Sequence, residues 1–137
     1  MECGGQAAGR MRVVVVTGHG GPDALQVQER PDPVAGPGQV RSDVAAVGVN
    51  FADTLATMGL YADAPKPPAA VGYEVAGTVA EVGDGAQGLS VGQRVIAGTR
   101  FGGYASAVVV DAQNVAALPD TLSFEQGAAI TVNYATA

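Results

Sequence analysis

Cysteine, histidine and tryptophan are nearly absent from this sequence of 137 residues, which has only Cys3, His19 and no tryptophan. One thiol forms neither an internal disulfide nor a cysteine-based zinc site, and one histidine is a poor basis for any other metal centre. No segment approaches the 18 apolar residues of a membrane span, and no run near the N-terminus has signal-peptide length. We therefore expect a cytoplasmic protein with no metal site and no membrane segment.

Basic residues are also few, with 7 lysines and arginines against 13 aspartates and glutamates, for a formal net charge of −6. A nucleic-acid surface needs a basic patch, so this balance argues against a nucleic-acid partner. Hydrophobic residues make up 47% of the chain, which excludes a wholly disordered one. Because aromatic residues are only 5%, the core is expected to consist mostly of valine and alanine.

Twenty glycines and eight prolines divide the chain into short segments, which favours strands joined by turns over a helical bundle. The predicted strands cover residues 13–16, 25–29, 39–49 with a bulge near 45–46, 75–82, 94–97, 104–110 and 112–118. So few helices between so many strands predict a mainly β fold, a partly open antiparallel barrel with two short helices.

Two segments have helical patterns. Phe51, Leu55 and Met58 are spaced at i, i+4 and i+7, which places them on one face of a helix over residues 50–58. Asn50 suits its N-cap, and Gly59 suits the position after its C-terminus. The second helix is predicted over residues 124–137, after an S-x-x-Q capping box that starts at Ser123.

One glycine-rich segment matches a phosphate-binding pattern by letters alone. Residues 83–88 (GDGAQG) fit G-x-G-x-x-G, but a phosphate-binding loop must open a helix. Residues 89–92 lead into a predicted strand instead, and Asp84 would place a negative charge beside the phosphates. The segment is therefore predicted to be a hairpin loop. The serines, including Ser90 within residues 88–92 (GLSVG), lack the strand-to-helix setting of a nucleophile elbow.

Three segments together resemble a known family: residues 48–53 (GVNFAD), 72–83 (GYEVAGTVAEVG) and 88–95 (GLSVGQRV). In this order they are similar to the N-terminal GroES-like domain of the medium-chain dehydrogenase/reductase superfamily. The run NFAD at 50–53 followed by GLY at 59–61 resembles the N-[FY]-x-D…G-x-Y pattern of its quinone oxidoreductases, of the zeta-crystallin and vesicle-amine-transport-like branch. The resemblance extends over residues 11–137.

Zinc-dependent members of that superfamily carry cysteine at the position of Asn50 and histidine at the position of Tyr73. Neither ligand is present, so the resemblance implies the zinc-free branch. A smaller departure is Gln93, where the family usually has aspartate, and a tolerated surface turn is the simplest interpretation.

The resemblance also implies a domain organisation and an activity. Residues 1–10 are predicted to be a disordered tail, 11–122 a GroES-like substrate-side domain, and 123–137 the start of a helix leading to a Rossmann cofactor domain that this chain lacks. The implied activity is NADPH-dependent, zinc-independent reduction of a quinone or an α,β-unsaturated carbonyl compound. The parent protein is expected to be a homodimer, and the chain alone an inactive monomer.

Three residues are expected to form the site. Asn50 is the implied catalytic residue, because an amide donor there can stabilise a developing oxyanion beside the cofactor. Tyr61 is expected to line the site for a flat substrate, and Thr136 to lie near the nicotinamide.

Each of these residues has a simpler interpretation. Asn50 also suits a helix cap, Tyr61 simple loop packing, and Asp53 the stabilisation of a first helical turn. Glu74 suits a buried structural carboxylate paired with Arg94, and Tyr73 is expected to fill the vacated ligand space. The alternative function is a non-catalytic binding or chaperone-like interaction protein, because one fold supports several functions.

Overall fold

The computed structural model describes residues 9–131, which form a mainly β domain with two short α-helices. The predicted fold class is confirmed. The elements are β1 (Arg10–Val16), β2 (Leu25–Pro31), β3 (Gln39–Val47), α1 (Phe51–Thr57), β4 (Ala69–Ala70), β5 (Glu74–Val82), β6 (Arg94–Gly98), β7 (Ala107–Asp111), β8 (Val115–Ala117) and α2 (Phe124–Ala128).

The strands form two curled antiparallel sheets, with strand orders β2-β1-β4 and β7-β3-β5-β6-β8. The segment just before β7 joins them, because Val14 N–H donates to Tyr104 O at 2.8 Å and Ser106 N–H donates to Arg12 O at 2.8 Å. The two sheets therefore join into the predicted half-open barrel, and its interior holds three hydrophobic clusters among residues 9–131.

Small aliphatic side chains fill this interior, as the composition predicts. The most completely buried are Val15, Val40, Val75, Val79 and Val95, each exposed by 1% or less. Valine suits this position because its branched side chain packs well on a pleated surface. The core thus sits between the sheets, and the open ends of the barrel remain for polar groups.

The expected bulge in β3 is confirmed. The register of β3 on β5 shifts between Val44 and Ala46, and the strand ends at Val47 rather than at residue 49. A bulge bends its strand and re-aims the residues beyond it. Here the chain leaves the sheet at Gly48 and enters α1 after Asn50, so that the end of β3 lies beside the start of β5.

The glycine-rich segment at 83–92 is the hairpin that the sequence predicts. It joins the antiparallel strands β5 and β6, and Gly85, Gly88 and Gly92 have φ values of +81°, +83° and +92°. Only glycine adopts such values at little cost. The loop runs into a strand rather than a helix, so it does not form a phosphate-binding turn.

The orientation of α1 differs from the sequence expectation. Phe51 and Met58, two members of its predicted apolar face, are 77% and 48% exposed, whereas Asp53 and Ala56 are buried. The helix itself ends as predicted: Gly59 has φ +79°, its N–H donates to Ala56 O, and the next N–H closes the turn on Leu55 O. The periodicity identified the helix but not the face that meets the barrel.

Several element boundaries also differ. β1 begins at Arg10, the last residue of the predicted tail, because Arg10 pairs with Pro31. Pro31 was expected in a loop but ends β2, which is an edge strand and therefore tolerates a missing N–H. α2 begins after Ser123 as predicted but ends at Ala128, with Ala129 as its C-cap, and residues 132–137 of the predicted second helix lie outside the described residues.

Candidate functional site

Buried polar side chains gather at one end of β5. Asn50, Asp53 and Glu74 are 8%, 2% and 0% exposed, and all three lie where α1 meets the start of that strand. Burying carboxyl groups is costly unless they are hydrogen-bonded or paired. The hydrogen-bond partners of these side chains therefore indicate which groups this end of the barrel can bind.

Glu74 receives the side-chain amide of Asn50, with Nδ2 donating to Oε1 at 3.0 Å. A carboxylate only accepts hydrogen bonds, so this contact fixes which end of the Asn50 amide faces inward. Gly48 makes the arrangement possible, because a Cβ at that residue would overlap the carboxyl group of Glu74. The main chain is anchored there too, since Gly48 N–H donates to Glu74 O at 3.0 Å.

The expected pairing of Glu74 with Arg94 is wrong. The register of β5 on β6 places Glu74 opposite Gly98 and Arg94 opposite Thr78. Four residues along a strand separate the two by about 13 Å. Arg94 instead contacts the segment before α2 and the first residue of that helix. Its guanidinium donates to Pro119 O at 3.0 Å and to Leu122 O at 2.7 Å, and it lies 4.5 Å from the centre of the Phe124 ring.

Asp53 ties the start of α1 together. Its Oδ2 accepts the main-chain N–H of Asn50 at 2.9 Å, and its own N–H donates to Asn50 O at 3.0 Å. This is the first-turn stabilising role that the sequence predicts. Asn50 occupies the N-cap position and is at the same time the partner of Glu74. Its two interpretations, cap and site residue, are therefore compatible.

Burial raises the pKa of the Asp53 carboxyl group, and the nearby charge of Glu74 acts in the same direction. Hydrogen bonds from Asn50 N–H, from the Tyr104 hydroxyl and from Gly72 N–H lower it and only partly offset the effect of burial. The pKa of Tyr104 is raised as well, by burial and then by Asp53. The floor of the site is thus a desolvated carboxyl group whose Oδ2 holds the start of α1, while its Oδ1 is buried without a hydrogen-bond partner in residues 9–131.

Aromatic rings form a wall beside these groups. The rings of Tyr61 and Tyr73 meet edge to face with centres 6.2 Å apart, and Tyr73 contacts Phe101 at 5.3 Å. Tyr61 also packs on Val16 and the neighbouring buried residues, so it contributes to loop packing as well as to the wall. The sequence analysis did not identify Phe101 as a site residue. The signal that could have identified it is the pair of aromatic residues, Phe101 and Tyr104, on either side of two glycines.

Tyr73 supplies the least satisfied group of the wall. Its hydroxyl oxygen is buried and has no hydrogen-bond partner at close range within residues 9–131. Burial raises the pKa of Tyr73, followed by the effects of Tyr61 and of the carboxylates of Asp53 and Asp63. A buried hydroxyl without a partner is rare in folded proteins, which makes it a ready donor for a ligand oxygen.

A cavity of about 580 Å³ opens beside Tyr73, between the end of β6 and the residues after α2. This volume lies within the usual range of small-molecule sites. Its lining includes Tyr73, Ile96, Thr99, Arg100, Asn114 and Thr131. Thr99 holds the adjoining turn by donating from Oγ1 to Gly72 O at 2.8 Å.

The positions that carry zinc ligands in metal-dependent members hold Asn50 and Tyr73. Within the described part of the chain, no three His, Cys, Asp or Glu side chains come close enough together to hold a metal ion. Of the three predicted site residues, Asn50 and Tyr61 lie at this end of the barrel, and Thr136 lies outside the described residues. No helix of residues 9–131 is long and apolar enough to cross a membrane.

Residues 36–120 match the family model of the alcohol dehydrogenase GroES-like domain. The chain belongs to this family. The resemblance to the medium-chain dehydrogenase/reductase superfamily, and within it to the zinc-free quinone oxidoreductases, is thereby confirmed.

Individual relatives are of two kinds. The synaptic vesicle membrane protein VAT-1 homolog of Rattus norvegicus is 41% identical over 93% of this chain and 32% of its own length. The quinone oxidoreductase of Salmonella typhimurium is 42% identical over 81% of this chain and 34% of its own length. The crystal structure of Escherichia coli quinone oxidoreductase complexed with NADPH superposes with a TM-score of 0.82, at 35% identity over 89% of this chain and 37% of that one.

The chain thus spans about a third of the length of the curated relatives that it matches. What it shares with them is the domain that carries Asn50, Glu74 and the aromatic wall, within the matched residues 36–120.

Proposed function

We propose that this chain is the substrate-side part of an NADPH-dependent, zinc-independent reductase acting on quinones or α,β-unsaturated carbonyl compounds. The observation that carries the proposal is the pairing of Asn50 with a fully buried Glu74 beside the wall of Tyr61, Tyr73 and Phe101. The pair orients the amide of Asn50, and the three rings lie at the same end of the barrel, a combination that suits a flat molecule with a carbonyl oxygen.

The role of Asn50 rests on its two amide N–H groups. One donates to Glu74, and the second is the proposed donor to the carbonyl oxygen of the substrate. That oxygen gains negative charge during reduction, and a fixed donor lowers the barrier because it needs no reorientation. Glu74 acts through Asn50 and is a positioning residue. Tyr61 is the proposed substrate-binding residue, and its neighbour Tyr73 offers a hydroxyl without a partner.

We propose that the described residues bind the nicotinamide ring of the cofactor and not its phosphates. The loop at 83–92 runs into β6 and makes no cradle for a pyrophosphate, whereas a cavity opens beside Tyr73, whose ring packs against Tyr61. Asn50 and Thr136 are the proposed contacts near the nicotinamide, and the phosphates fall to a further domain of the parent protein. NADPH, when bound, supplies the hydride. The groups of this chain position the substrate, exclude water and stabilise charge without a metal ion.

The remaining parts of the proposal concern the parent protein. We propose that it is a cytoplasmic homodimer. The isolated chain is expected to be a monomer, and to be inactive because residues 9–131 form no site for the cofactor's phosphates. The protein is expected to purify without zinc. A stoichiometric zinc content in the purified protein, measured by elemental analysis, would contradict this.

The test is NADPH oxidation with 1,4-naphthoquinone by the longer polypeptide that carries this chain. Asn50→Ala should lower kcat roughly 100-fold while KM for the quinone changes little, because one lost transition-state donor costs about 3 kcal/mol. Gln87→Ala, in the exposed hairpin, is the matched control and should retain activity. Equal kcat values for the two variants would show that Asn50 is not the oxyanion donor.

A non-catalytic interaction protein remains the second candidate. The exposed side chains of Phe51 and Met58 on α1 and of Leu60 just after it favour it, since they offer apolar surface next to the site. The same assay distinguishes the two functions. A longer polypeptide that folds but oxidises no NADPH with any quinone or enone supports the interaction protein.

A further inference from the structure

The cavity beside Tyr73 has one charged residue in its lining, as far as residues 9–131 show, and this is Arg100. The other polar groups around it are the amides of Gln113 and Asn114 and the hydroxyls of Thr99 and Thr131. Apart from Thr99, whose hydroxyl already donates to Gly72 O, these groups offer hydrogen-bond donors, and no carboxylate is among them.

Arg100 differs from most other basic residues of the described chain in having no partner. Arg10 lies 3.6 Å from Glu29, Arg41 lies 3.6 Å from Glu81, and Arg94 is held by two carbonyl oxygens. Arg12 and Lys66 also lack a side-chain partner in residues 9–131, but neither lines this cavity. Arg100 is therefore the free guanidinium at the candidate site.

The backbone around Arg100 is fixed although its side chain is exposed. Thr99 before it is buried and donates to Gly72 O, and Phe101 after it packs against Tyr73. The residue also borders a second cavity of about 510 Å³, where Arg30 adds another positive charge and Asp111 a negative one. The guanidinium thus stands at a rim shared by two cavities, one residue away from the aromatic wall.

We propose that Arg100 selects substrates that carry an anionic group, by binding a carboxylate or a similar oxyanion on a flat carbonyl compound whose ring lies against Tyr73 and Phe101. The planar guanidinium matches such groups with two parallel hydrogen bonds. The inference rests on the proposed function and adds a substrate class to it. Arg100 is a specificity-determining residue, since it lies on the rim rather than at the reacting carbonyl.

The test is equilibrium dialysis of the 137-residue chain with two quinones of the same ring system. Anthraquinone-2-sulfonate carries the anion, and 2-(hydroxymethyl)anthraquinone is the neutral counterpart. At low salt the sulfonate should bind roughly fivefold more tightly, the upper range of a partly exposed ion pair. Arg100→Gln should remove this preference without weakening the neutral quinone, and added salt of about 0.5 M should reduce it.

Arg12→Gln is the matched control, because it removes the same charge from another exposed arginine outside this cavity. It should keep the preference for the sulfonate. Circular dichroism and the urea midpoint establish that both variants are folded. Arg100→Lys should keep only part of the preference for the sulfonate, because lysine supplies the charge but not the two parallel hydrogen bonds of the planar guanidinium.

Three results would overturn the inference. Equal affinities of the wild-type chain for the two quinones would refute the role of Arg100 and leave the proposed function standing. No saturable binding of either quinone would refute both. With inorganic pyrophosphate as a third probe, a loss of its binding in Arg100→Gln while the sulfonate preference persists would show that Arg100 serves a phosphate and not a substrate anion.

Discussion

The two ends of β5 have opposite characters. At its start, Glu74 is fully buried, Asn50 donates to it, and Gly48 leaves room for its carboxyl group. At its other end, the strand leaves the sheet into the loop at 83–92, where a Cβ on Gly85 or Gly88 would meet nothing within 4 Å. Both ends are rich in glycine, and Gly83 at the loop end lies close to the main-chain carbonyls of Gly36 and Gln39. Only at the start of β5 does a glycine make room for a buried side-chain carboxyl group.

The difference shows which sequence signal carries function here. The loop at 83–92 matches a phosphate-binding pattern and is a hairpin, because the chain continues from it into the strand β6 and not into a helix. The Asn50 end matches no general catalytic pattern, yet it holds buried carboxyl groups and an unsatisfied hydroxyl. Buried polar groups are costly, so their concentration at one end is the stronger indication of a site.

The largest expected difference between the two ends comes from adding one methyl group at each. Gly48→Ala should lower the free energy of unfolding by about 3 kcal/mol, because the new Cβ overlaps the Glu74 carboxyl group, which is enclosed and has no space to move. Gly85→Ala should cost about 1 kcal/mol, the strain of a positive φ alone. Urea unfolding measures both. Equal losses would contradict the claim that the Glu74 end is the tightly packed one.

The second-largest difference in stability between the two ends is expected when a carboxylate is introduced at each. Asn50→Asp replaces the amide nitrogen that lies 3.0 Å from Glu74 Oε1 by a carboxylate oxygen, so the chain should lose about 2 kcal/mol at neutral pH. The loss should shrink on acidification, because a proton shared by the two carboxyl groups restores a donor. Gln87→Asp, in the exposed loop, should change stability by less than about 0.5 kcal/mol. An Asn50→Asp protein as stable as wild type would mean that Asn50 is only a cap.

The pH dependence of stability should change when Asp53 is replaced. Burial raises its pKa in the folded state, so the folded protein binds more protons than the unfolded chain above the unfolded pKa. The contribution of Asp53 to stability is therefore present at low pH and is lost as the pH rises through the raised pKa. Asp53→Asn should lack this decline, which in the wild type begins above the ordinary carboxyl pKa of about 4, as seen in urea unfolding at a series of pH values. A steeper decline in the variant would contradict it.

The smallest effect is expected from the ion pair near the hairpin. Arg41 and Glu81 lie 3.6 Å apart and are partly exposed. Their coupling in a double-mutant cycle with Arg41→Gln and Glu81→Gln should be about 0.5 kcal/mol and should vanish at high salt. A coupling as large as the loss expected for Gly48→Ala would erase the contrast between the two ends.

Local signals predicted much of the fold. Alternation, turn residues and capping positions gave the strands, the bulge after Val44 and the caps of both helices, because these features depend on a few neighbouring residues. These local signals did not predict which face of α1 packs against the barrel. Its apolar stripe at Phe51 and Met58 is real, but periodicity does not tell which face of a short helix at the end of a barrel meets the core.

The site depended on information that local patterns lack. The register of β5 on β6 puts Arg94 out of reach of Glu74, whose partner is Asn50. The contact of Tyr73 with Phe101 also joins residues far apart in sequence. The resemblance to the family located Asn50 and Tyr61, which do lie at the same end of the barrel as Glu74 and Tyr73. Their catalytic and binding roles, and that of Thr136, stay predictions.

The most direct test of the account is a ¹H–¹⁵N NMR titration of the 137-residue chain with 1,4-naphthoquinone. If the substrate carbonyl binds between Asn50 and the aromatic wall, the side-chain amide of Asn50 and the main-chain amides of Tyr73 and Phe101 should shift together and saturate. The amides of residues 83–92 should stay unchanged. Shifts confined to residues 83–92, or no shift at the Asn50 side chain at saturating quinone, would contradict the account.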